Sequence, residues 1–80
     1  MLKTLIKRAE EKIERAMGYA MKVKSPKDKT DILNAQYYMG QFHAYMDMIE
    51  ITDIDKYVEI EERTREMRQF ILEAVDKLYR

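Results

Sequence analysis

Apolar residues recur at alternating spacings of three and four along nearly the whole chain, the pattern of helices that bury one face. In a first segment, roughly Leu2 to Lys24, the stripe is Leu2, Ile6, Ala9, Ile13, Ala16, Ala20 and Val23, widened by Leu5 and Met17. Lys3, Lys7, Arg8, Glu10, Glu11, Lys12, Glu14 and Arg15 occupy most of the remaining surface. A second segment, 26–50, carries Ile32, Ala35, Met39, Phe42, Met46 and Ile49, with Tyr38 and Tyr45 extending that face. A third, 53–79, carries Tyr57, Ile60, Thr64, Met67, Ile71, Ala74 and Leu78. Its middle, Glu61 to Glu66, is poor in apolar residues, so its packing should be thinnest there.

Local chemistry sets the expected boundaries. Pro26 disfavours helical geometry at Ser25. Ser25 can then cap the second helix, with Pro26 at its first position and Asp28 as reciprocal partner. Thr30 or Asp31 is the competing start. Near Thr52, with Asp55 three residues on, a second capping box is expected. Each helix would be about 35 Å long. Matched lengths and short connections predict an all-α, up-down-up antiparallel three-helix bundle in one domain, 1–80. The alternative is a long helical hairpin completed by dimerisation.

The second segment carries more apolar surface than such a bundle needs. Leu33, Tyr37, Gly40, Ala44, Met48 and Ile51 also keep near-helical spacing, on the side opposite the Ile32–Ile49 stripe. A middle helix touching two neighbours has no need of apolar residues there. Gly40 and Ala44, four apart, would let another helix approach closely. Met39 and Met46 read as gap-filling core residues, whereas Tyr37, Ala44 and Met48 read as an interface.

Composition narrows the functional classes. An 80-residue chain makes one small domain with a marginal core. Without cysteine it has neither disulfides nor thiolate metal sites. Fifteen basic residues balance fifteen acidic ones, which gives no global attraction to nucleic acid or anionic membrane. The opening MLKTLIKRAEEK has too short an apolar run for a signal peptide, and no later run is long enough to span a bilayer, so a cytoplasmic setting is expected.

Candidate chemistry is sparse. His43, Asp47 and Glu50 share one helical face, but a dinuclear carboxylate site would need Glu-x-x-His pairs from facing helices, and the chain has one histidine. A solvated polar margin is the expected reading. Ser25, the only serine, is accounted for as a cap, and Glu59, Glu61 and Glu62 as a solvated face. No catalytic residue, metal ligand or cofactor is therefore expected. The balanced charge is unevenly spread: residues 1–31 hold nine Lys/Arg, and residues 32–62 hold one, Lys56, against seven acidic residues. In an up-down-up bundle Lys22, Lys24, Lys27 and Lys29 would join Lys77 and Arg80 at a basic end, opposite Asp47, Glu50, Asp53 and Asp55. The leading expectation is a non-enzymatic, homodimeric helical adaptor or regulator. A weak nucleic-acid accessory role at Lys22–Lys29 is the alternative.

Overall fold

The computed structural model describes residues 1–79. These residues are 86% helical, and no strand occurs among them. The architecture is an elongated antiparallel helical bundle, 39 × 18 × 16 Å, built from four α-helices rather than three. They are α1 (Leu2–Ala20), α2 (Lys29–Thr52), α3 (Ile54–Arg63) and α4 (Arg65–Asp76), followed by a 3₁₀ turn at Lys77–Tyr79. Helices α1 and α2 form the closest-packed pair. Helix α4 packs on both of them, while α3 packs on α2.

The core is one contiguous apolar cluster, and the 3.6-residue period locates most of it. All six expected stripe residues of α2, from Ile32 to Ile49, are buried. From α1 come Leu5, Ala9, Ile13, Ala16, Ala20 and Val23, with Leu2 and Ile6 only half-buried at the end where α1 lacks α3 as a neighbour. From α3 and α4 come Ile60, Thr64, Ile71, Ala74 and Val75. The alanines at 9, 16, 20 and 35 are each at most 1% exposed. Small side chains in these positions let backbones approach closely.

Helix α1 ends one turn before Lys24, and α2 begins at Lys29, not at Pro26. The reason is competition for backbone donors. The Asp28 carboxylate accepts from Lys24 N at 2.8 Å and Ser25 N at 3.1 Å, which removes both donors from α1. Lys22 and Val23 fall back to i→i−3 bonds on Tyr19 and Ala20. Only the Asp28 half of the expected capping box forms: Ser25 Oγ accepts from Lys27 N at 3.2 Å and not from Asp28 N, which donates to the Ser25 carbonyl at 3.1 Å. These bonds close a separate turn, because Asp28 leaves helical geometry at φ −80°, ψ 50° and is itself the uncapped boundary of α2.

This geometry ranks two substitutions. Ser25→Ala removes one solvent-exposed cap bond and should cost about 0.5–1 kcal/mol. Asp28→Ala removes the acceptor for two backbone donors and should lower the melting temperature further than Ser25→Ala does. The two backbone N–H groups, with Lys24 and Lys77 adding smaller charge effects, hold the Asp28 carboxyl below its ordinary value of 3.8. Its stabilisation is therefore present above about pH 4 and lost as pH falls through the lower folded value. Thermal melts against pH should show this acid-side loss in the wild type and a flatter profile in Asp28→Asn. Equal melts for the two alanine variants would refute the ranking.

The second corner is also shifted. Thr52 is the last residue of α2 and not a cap, because its Oγ1 donates back to Met48 O at 2.8 Å. Asp53 sits in extended geometry at φ −156° and caps α3, its carboxylate accepting from Lys56 N at 3.1 Å. Asp55 is left exposed in the first turn.

The expected third helix bends at Thr64, at φ −100°, ψ 5°. Thr64 is 6% exposed, and its Oγ1 donates to Ile60 O at 2.8 Å, a back-bond that bends helices. Arg68 holds the bend from the other side: Nε donates to Thr64 Oγ1 and Nη2 to Glu61 O. Main-chain bonds Thr64 N→Ile60 O and Arg68 N→Thr64 O continue through it. The bend falls where the sequence is poorest in apolar residues.

Candidate interaction face

The second stripe of α2 stays uncovered. Leu33, Tyr37, Gly40, Ala44, Met48 and Ile51 are all exposed, with Leu33, Tyr37 and Ile51 at 51%, 59% and 86%. The cause is placement. Helices α1, α3 and α4 all pack around the Ile32–Ile49 side, and none wraps to the opposite side. Between Asp31 and Asp47 the helix carries no Asp, Glu, Lys or Arg, so the uncovered face lacks the charges that normally solvate a surface helix. Tyr37 lies edge-on to Tyr38, with ring centroids 5.1 Å apart, and its hydroxyl accepts from Gln41 Nε2 at 2.6 Å.

Gly40 has no intrachain explanation. Its φ is not positive, and a Cβ built there would meet nothing within 4 Å. Glycine within a helix costs about 1 kcal/mol relative to alanine. The chain's own packing does not recover that cost.

The two margins of α2 differ from its outer face. Toward α1, Tyr38 is half-buried and stacked on Tyr19, with centroids 5.8 Å apart and planes 6° from parallel. Lys12 and Arg15 lie over the Tyr38 ring, and Lys22 over Tyr19 at 5.2 Å. Periodicity assigned Tyr38 to the core flank but gave no sign of its pairing with Tyr19. Toward α3, Phe42, His43, Met46, Tyr57, Glu61 and Arg68 line a shallow cleft. The Tyr57 phenol is pushed up to about 12, chiefly by its hydrogen bond to the Glu61 carboxylate, then by partial burial and the charges of Glu61, Glu50 and Asp47.

His43, Asp47 and Glu50 do not converge on a common point, and no group of three His, Asp or Glu residues among those described is placed to hold a metal ion. Glu59 and Glu62 make exposed pairs with Lys56 and Arg65. Lys22, Lys24, Lys27 and Lys29 are all exposed at the α1–α2 corner, and Lys77 is near enough to stabilise the Asp28 carboxylate in their midst. The basic end is thus assembled as expected, except for Arg80, which lies outside the described residues. Periodicity does not mark Arg68 as a brace for the Thr64 bend. A basic residue four beyond a threonine was the only available signal.

Among the described residues, no helix is long and apolar enough to cross a membrane. The fold and this face define an all-α bundle with one helix apolar on two opposite sides. Beyond that class the chain has no match: no family model, no curated protein and no solved structure is significantly similar to it.

Proposed function

We propose that this chain is a non-enzymatic, self-associating helical adaptor or regulator acting in the cytoplasm, with the outer face of α2 as its contact surface. The observation that carries the reading is the six-residue apolar stripe, exposed along the whole of a 24-residue helix whose opposite side already fills the core. Burying an apolar side chain is worth about 1.5–3 kcal/mol, so a few of these residues together outweigh the cost of association. A second copy of the chain brings the same stripe and so satisfies both faces at once.

Sedimentation equilibrium on the wild type and on Ala44→Glu tests the reading. The wild type should be dimeric at micromolar concentration. Ala44 is exposed in the single chain, so the glutamate should leave helicity and melting of the monomer nearly unchanged while setting two unpaired carboxylates into the interface. A shift to monomer is the expected result. A wild type that stays monomeric at several hundred micromolar refutes self-association.

A second reading has a specific observation of its own. Tyr19, half-buried beside exposed Gly18, is ringed by Arg15 and Lys22, a basic shelf with an aromatic face next to Lys24, Lys27 and Lys29. Single-stranded nucleic acid is held by such pairings of stacking and phosphate contact. A salt-sensitive mobility shift lost in Tyr19→Ala would support this reading. Binding that ignores the substitution would discard it.

A further inference from the structure

We infer that α2 pairs with α2 of a second copy in antiparallel orientation, about a two-fold axis level with Phe42, so that Gly40 of each chain lies against Ala44 of the other. This rests on the self-association reading and gives it a register. The exposed stripe is nearly mirror-symmetric along the helix: Leu33 with Ile51, Tyr37 with Met48, and Gly40 with Ala44 share one midpoint to within half a residue. An antiparallel pair turns that symmetry into contacts. The two smallest residues meet at the centre, where helices come closest, and an aliphatic residue meets an aliphatic residue at each end. Between them a tyrosine ring meets a methionine thioether, a favourable partnership. The arrangement also gives Gly40 a purpose, since a Cβ there would meet nothing in its own chain.

Charge chooses between the two orientations. Along α2 the exposed charged residues are Lys29 at one end and Asp47 and Glu50 at the other, with Asp53 just beyond; Asp31, in the first turn, is half-buried and points away from the stripe. Antiparallel pairing brings Lys29 alongside Asp53 and the carbonyl end of the other copy's α2, and opposes the two helix dipoles. Parallel pairing would stack Lys29 on Lys29 and Asp47 on Asp47, and would align the dipoles.

The absence of cysteine makes the register directly readable, because an introduced thiol is the only one in the chain. Leu33→Cys, Ile51→Cys and the double variant would each be treated with a short bifunctional maleimide. Positions 33 and 51 are exposed, so the monomer fold tolerates the changes. Within one chain they stand about 27 Å apart along the helix, beyond the reagent's reach. The expected result is a covalent dimer in the double variant and in an equal mixture of the two single variants, with loss of that band in either single variant alone. A covalent dimer from Leu33→Cys alone is the parallel result, and it overturns the register while leaving self-association standing. A dimer by sedimentation in which no combination cross-links puts the interface elsewhere and overturns it too. A wild type that sediments as a monomer overturns both this inference and the reading beneath it.

Discussion

Phe42→Ala should lower the stability of the fold by about 3–5 kcal/mol. Phe42 is 1% exposed and is the largest of the fully buried side chains. It stands midway along α2, where the core receives residues from α1, from α2 itself and from the bent α3–α4 pair. Truncation removes the transfer energy of a phenyl ring and leaves a cavity that packed helices close only in part. The size of the chain makes this severe. At roughly 0.05–0.15 kcal/mol per residue, an 80-residue domain holds only about 4–12 kcal/mol in total. A fall in melting temperature on the order of 15–30 °C is therefore expected by circular dichroism. Phe70→Ala is the control: Phe70 is 42% exposed on a flank of α4, and its loss should be much milder. If the two variants melt alike, Phe42 does not anchor the core.

Ala16→Leu should be the second most damaging change, through overpacking and not through loss. Ala16 has no exposed surface, and it lies on the α1 face that carries Ala9, Ile13 and Ala20. Close-packed interiors have no spare volume for three added carbons, so α1 must shift from its neighbours or the leucine must leave its rotamer, at a cost of about 1–3 kcal/mol. The same replacement at Ala44 adds apolar bulk to an exposed position and should not destabilise the single chain. Denaturant melts of the two variants at a concentration low enough to keep the chain monomeric would separate these cases. An Ala16→Leu variant as stable as wild type would mean that the seam is looser than its burial indicates.

Legibility in the sequence followed the range of the interaction. The buried stripe of α2 is set by a 3.6-residue repeat within one helix, and every residue read from that repeat is buried. The capping residues were visible as chemistry but misplaced by a few positions. Asp28 does accept from Ser25 N, but the Ser25 hydroxyl takes Lys27 N in place of Asp28 N, and Asp28 also takes Lys24 N, a donor that α1 would otherwise use. Which backbone group wins a given carboxylate depends on distances that no spacing rule contains. Thr52 and Thr64 show the same ambiguity: a threonine hydroxyl can cap the next helix or bond back to its own, and here both bond back.

The sequence by itself determined that the chain folds as a succession of amphipathic helices and that α2 carries apolar residues on two opposite sides, because both are consequences of residue type and helical period. Only the tertiary structure decided that the third helical segment bends at Thr64 and that α3 sides with α2 away from α1. It also decided that none of the described residues turns back to cover Leu33 to Ile51. Those outcomes depend on where separate helices come to rest against one another. A corner shifted by a few residues changes that placement while leaving the periodicity of every helix intact.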